Sequence, residues 1–122
     1  MEFQNLLPDG NHYGNLDGVN YVTCVPAPGD GKARLVFTLS ITNAIGGAAI
    51  QVFVFFNSGA GLRYLIDAAA MAANTTFSLS DKYPNGMFLR DGQYLEVAAA
   101  AATTQEWYTA WADLPRLSGR RV

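Results

Sequence analysis

The residues able to do chemistry in this chain are few and far apart. His12 is the sole histidine and Cys24 the sole cysteine. A zinc site built around them would draw the rest of its ligands from carboxylates, a poor match for a metal that favours imidazole and thiolate. His12 therefore reads as a surface-loop residue. Cys24, in a strand-like run, reads as a buried, inert thiol. "DGNHYGNLDGVN" sets Asp9, Asn11 and Gly14 where a calcium loop begins. Tyr13 and Asn20 then stand where that loop needs a side-chain oxygen and a bidentate glutamate. The glycines of "IGGAA" lack the lysine and the helix of a phosphate loop. The expectation is a protein with no catalytic residue, metal or cofactor.

The aromatic residues offer more. In "TQEWYTAW" strand alternation puts Trp107, Thr109 and Trp111 on one face, with Tyr108 and Ala110 on the other. That row, or exposed rings such as Tyr13, Tyr64, Tyr83 and Tyr94, could stack on sugars, so a carbohydrate-binding module is one reading. Core packing and partner contact are the simpler accounts. "IQVFVFFN" is apolar on both sides: Ile50, Val52, Val54 and Phe56 on one, Phe53 and Phe55 on the other. A sandwich encloses one face of each sheet. Phe53 and Phe55 are then left outside, to be covered by a sister molecule or by residues 1–18 through Phe3, Leu6 and Leu7. Arg116, Arg120 and Arg121 near the C-terminus could anchor an acidic partner or remain a solvated tail.

Composition supports a covered surface. Charged residues make up 15% of the 122, against about 25% in average proteins. A small domain, with proportionally more surface, should carry more charge than average. The net charge of −2 and the lack of a basic stripe argue against nucleic-acid binding. A lone cysteine permits no intramolecular disulfide and fits a reducing cytoplasm. "MEFQNLLPDG" has no basic start or apolar run of leader type, and no apolar stretch reaches membrane-spanning length. The sequon at Asn74 accordingly has little weight.

The elements that would carry these residues read as strands. Residues 1–19 are rich in Gly, Pro, Asn and Asp and read as an arm, 20–113 as the domain, and 114–122 as a basic tail. Strands are expected at 21–28, at 33–43 with Leu35, Phe37, Leu39 and Ile41 on one face, and at 50–57 as its antiparallel neighbour. More follow at about 62–69 and 75–80, at a short "MFL", at 93–102 and at "TQEWYTAW". Ala68–Ala73 has helix propensity, but a bend between two strands is preferred. Turns fall at Asp30-Gly31, Pro84-Asn85-Gly86 and Asp91-Gly92. Seven to eight short strands make an all-β, antiparallel sandwich, Ig-like or jelly-roll-like.

From "LVFTLSITNAIGGAAIQVFVFFN" onward the chain resembles small β-sandwich structural proteins of tailed-bacteriophage virions. The carriers are an apolar strand ending in Thr-Asn (Leu39–Asn43), a Gly/Ala turn (Gly46–Ala49) and a second apolar strand (Ile50–Asn57). Then come a polar "NTTFSLS" and the Leu89–Val97 segment "LRDGQYLEV". The resemblance spans residues 33–112 and leaves 1–20 and 113–122 unmatched. It implies a capsid decoration (cement) protein, or an accessory part of neck, tail or baseplate, assembled in the host cytoplasm. It implies no catalytic residues. The partners expected are sister copies, as a trimer, and major capsid or other virion proteins. Phe53, Phe55, Trp107 and Trp111 are the expected contact or core anchors, and Arg116, Arg120 and Arg121 the polar ones.

Overall fold

Nine strands form among the residues that the computed structural model describes, which are 10–16, 19–29, 31–43, 50–72, 75–100 and 106–115. They are β1 (Gly10–Asn15), β2 (Val22–Val25), β3 (Lys32–Thr42), β4 (Ile50–Asn57), β5 (Arg63–Met71), β6 (Thr76–Ser78), β7 (Met87–Leu89), β8 (Tyr94–Ala99) and β9 (Glu106–Pro115). A 3-10 turn, Leu79–Asp81, lies between β6 and β7. All pairing is antiparallel, and it nests: β1 with β9, β2 with β8, β3 with both β6 and β7, β4 with β5. The chain is thus one long hairpin ribbon. Rolling that ribbon up sets β9 beside β3 and β8 beside β4.

Two sheets result. Sheet one runs β1-β9-β3-β6, with β7 also on the β6 side of β3; sheet two runs β2-β8-β4-β5. This is a β-sandwich, and its strand order is that of a jelly roll, with one strand broken into β6 and β7. Val36, Leu39, Ile41, Trp107 and Trp111 of sheet one close on Val25, Val52, Val54, Leu95 and Val97 of sheet two. Gly31, Gly86 and Gly92 hold positive φ at three of the expected turns.

Four details differ from the sequence reading. First, β3 and β4 are not paired; they belong to different sheets, because the ribbon folds over between them. Second, residues 10–15, read as part of an arm, form β1 on β9. Third, the Leu35/Phe37/Leu39/Ile41 face is broken. The β3–β9 register shifts between Val36 and Thr38, so the extra residue Phe37 turns Val36 inward with Leu39 and Ile41. Leu35 then alternates to the outer side, where it is buried along with Ala110 and Ala112. Fourth, the alanine run belongs to the single strand β5, continuous to Met71. Register sets Phe53 between Ala68 and Ala98, and pairing along β4 overrides helix propensity there.

The two ends of the sandwich are tied by β3. Past its C-terminal end, the buried Asn43 donates through Nδ2 to the carbonyls of Met71 (3.3 Å) and Ala72 (3.0 Å), linking sheet one to the end of β5. Near its start, Arg34 donates to both Asp113 oxygens on β9 (2.7 and 3.2 Å) and to the Pro26 carbonyl beyond β2 (2.7 Å). The Arg34 guanidinium also lies 4.8 Å from the centre of the Trp111 ring.

Candidate functional site

The tryptophan row is a packing device. Register pairs Gly10 with Trp111, His12 with Thr109 and Gly14 with Trp107. The G-x-x-x-G of β1 thus meets the W-x-x-x-W of β9, and each indole occupies the space that a glycine leaves. A Cβ on Gly10 would come within 2.6 Å of the Trp111 ring, and one on Gly14 within 3.1 Å of Trp107. Trp107 also donates Nε1–H to the Asn15 carbonyl (3.3 Å) and meets the His12 ring edge-on at 5.0 Å. Trp107 and Trp111 are therefore core anchors rather than partner contacts, and the row Trp107-Thr109-Trp111 is closed to any sugar. The physical reason is alternation: these residues sit on the β9 face that looks into the sandwich.

Between the indoles, the fully buried Thr109 donates its hydroxyl to the Cys24 carbonyl (2.8 Å), with the His12 carbonyl at 3.3 Å. Cys24 is the extra residue of a bulge in the β2–β8 pairing. It has no partner opposite it there, and Thr109 of the other sheet supplies one. The thiol is wholly buried, and that burial pushes its pKa well up. A thiol that keeps its proton when folded and releases it when unfolded makes stability fall above the unfolded value of about 8.5. The loss expected from about pH 8 to about pH 10 is about 2 kcal/mol greater than in Cys24→Ala, read from urea unfolding. Equal losses in the two proteins would contradict a buried thiol.

Phe53 and Phe55 do lie on the outer face of sheet two. Their rings stack at 6.1 Å and both are half-buried. Tyr21 covers part of Phe55, with ring centres 5.0 Å apart. Arg63 lies over Tyr21 at 4.4 Å and donates Nε–H to Glu96 at 2.8 Å. That hydrogen bond to Glu96 raises the Arg63 pKa. Glu96, on the same face, is only 6% exposed. Tyr21 and Leu65 remain about half exposed around this cluster, whereas Tyr64, equally exposed, packs at 6.3 Å against Phe56 on the other side of the sheet. Among the described strands, β5 is an edge, with no partner on the side away from β4. Sequence reasoning missed Tyr21, Arg63 and Glu96 because their meeting depends on β2–β8–β4 adjacency. The one local signal was Tyr21 ahead of the strand. Arg116, Arg120 and Arg121, like Phe3, Leu6, Leu7 and Asp9, lie outside the described residues.

The outer face of sheet one is different in kind. Two cross-strand rows stand side by side on it: Tyr13–Tyr108–Ser40 and Asn15–Glu106–Thr42. They line a cleft of about 470 Å3. Thr42 shares a 3.2 Å hydrogen bond with the Thr76 hydroxyl. Among the described residues, no group of three or more His, Cys, Asp and Glu side chains is placed to hold a metal. The sandwich therefore presents one aromatic, hydrophobic outer face and one hydroxyl-rich outer face that holds a cleft. Compared with known protein families and with curated protein sequences, the chain matches none.

Proposed function

We propose that the chain is a structural protein of a phage virion, a capsid decoration protein that assembles through the outer face of sheet two. The observation that carries this reading is the aromatic strip there. Phe53 and Phe55 stack on one another, Tyr21 lies against Phe55, and exposed Leu65 is the register partner of Phe55 on the edge strand β5. Monomers that live alone in water rarely keep a contiguous apolar patch of this type. The β5 edge beside it, without a partner among the described strands, adds backbone donors and acceptors for a strand from a neighbour. The resemblance of residues 33–112 to small virion sandwiches supplies the context, and jelly rolls recur in viral capsid proteins. Fold by itself does not assign function, so the strip has to carry the proposal.

The test is mass in solution. The wild-type protein is expected to sediment as a trimer. Phe53→Ser/Phe55→Ser is expected to sediment as a folded monomer with an unchanged β-type circular dichroism spectrum. The two rings are half-buried on an outer face, so their loss removes several kcal/mol of contact between copies at about 25 cal/mol per Å2 while sparing the enclosed core. A wild-type chain that stays monomeric at millimolar concentration would overturn this reading.

A further inference from the structure

We infer that the cleft on sheet one is a binding site for a neutral carbohydrate. The inference goes beyond the assembly role and concerns the opposite face of the sandwich. Three observations converge on it. The first is geometry. Tyr13 and Tyr108 are direct cross-strand partners, so their rings rise side by side from adjacent strands. Tyr13 is 75% exposed and Tyr108 38% exposed. Side chains this apolar, held open on a rigid sheet, offer flat faces for the C–H side of a pyranose ring.

The second observation is the adjoining row. Asn15, Glu106 and Thr42 lie one pleat repeat along the same face, with Ser40 beside Tyr108. Together they supply a carboxylate that only accepts, an amide that both donates and accepts, and hydroxyls that rotate to suit. A sugar needs that combination, because every ring carries several hydroxyls that each donate and accept. Among the described residues, no side chain hydrogen-bonds to the Glu106 carboxylate, the Asn15 amide or the two phenol hydroxyls. These groups are available to a ligand. The third observation is volume. A cleft of about 470 Å3 lies within the range of small-molecule sites, about 300–1,000 Å3.

Charge narrows the ligand class. Among the described residues, Glu106 is the only charged side chain lining the cleft. It repels phosphates, sulfated glycans and uronic acids and leaves neutral sugars favoured. None of the described lining residues offers the cation that a nucleotide or phosphosugar requires.

The experiment is an array of neutral oligosaccharides of glucose, mannose, galactose and N-acetylglucosamine, with polygalacturonate as the anionic counterpart, followed by calorimetric titration of the strongest binder. At least one neutral oligosaccharide is expected to bind, and polygalacturonate is not. Tyr13→Ala/Tyr108→Ala should weaken that affinity by about tenfold or more, and Glu106→Gln should weaken it more mildly. Should the double variant fold poorly, Tyr13→Ala alone carries the same test, since its ring is mostly in solvent. Phe53→Ser/Phe55→Ser, on the far face, should leave sugar affinity unchanged whatever it does to assembly. Failure of every neutral sugar to bind at millimolar concentration would overturn the inference. So would binding that survives loss of both tyrosines.

Discussion

Gly10→Ala is expected to destabilise the protein by about 1–2 kcal/mol, although alanine is ordinarily the better strand residue. Removing glycine from a regular strand should gain about 0.5–1 kcal/mol from reduced backbone entropy in the unfolded chain. Against that stands a Cβ placed 2.6 to 2.7 Å from three atoms of the Trp111 ring. The indole cannot swing aside freely, since Trp111 is only 7% exposed and has the Arg34 guanidinium across its face. Overpacking of this type costs about 1–3 kcal/mol and occasionally more. The clash therefore outweighs the entropy gain. Gly14→Ala makes a graded control, because its Cβ would stop at 3.1 Å from Trp107, a spacing that a small shift relieves. Urea midpoints with tryptophan fluorescence should rank wild type above Gly14→Ala and Gly14→Ala above Gly10→Ala. Equal stability of the two variants would show that the indoles do not rest on the glycines.

Arg34→Ala is expected to cost about 3 kcal/mol. The side chain makes three charge-assisted hydrogen bonds, two to Asp113 and one to the Pro26 carbonyl, and only 11% of it is exposed. Breaking one partner of a buried pair costs about 3–5 kcal/mol. Asp113 keeps 27% exposure, which lowers the figure because water reaches the remaining carboxylate. The loss also uncovers Trp111. Arg34→Lys should recover less than half, since a single ammonium cannot span the fork geometry or lie flat on the indole. An Arg34→Ala/Asp113→Ala cycle should show coupling of about 1–3 kcal/mol. A lysine variant as stable as wild type would mean that charge alone, and not the planar fork, holds this end of the sandwich closed.

Much of the architecture was legible because strand alternation is a local signal. The runs that became β3, β4, β8 and β9 announced themselves, and so did the glycine turns at Gly31, Gly86 and Gly92. What escaped was non-local. The shift at Phe37 changes which side of β3 faces inward, and no period-2 count reveals an extra residue. Neighbours in sequence usually pair, which is why β4 was set beside β3 when the rolled ribbon gives each its own sheet. β1 was hidden by its composition: glycine and asparagine read as loop until Trp107 and Trp111 are laid opposite Gly10 and Gly14. The spacing of the two motifs was there to be matched, but only pairing across some hundred residues gives it meaning. The same holds for the cleft. Tyr13 and Tyr108 are ordinary tyrosines in sequence and become a platform only in register, alongside Glu106 and Asn15. The Phe53/Phe55 strip was legible because both of its rings sit on one strand.

The nested pairing also dictates when the molecule can become itself. The β4–β5 hairpin is local and can close within microseconds, the ordinary pace of such elements. β9, which lies between β1 and β3, is the last of the nine strands to leave the ribosome. Until it arrives, β1 lacks its partner strand and β3 lacks one of its neighbours, so sheet one cannot close before β9 is made. Closure of so long a loop slows folding and leaves nascent edges open to the wrong neighbour. In a cell crowded with identical nascent chains, timing and chaperone protection matter most in the interval before that final strand slots in.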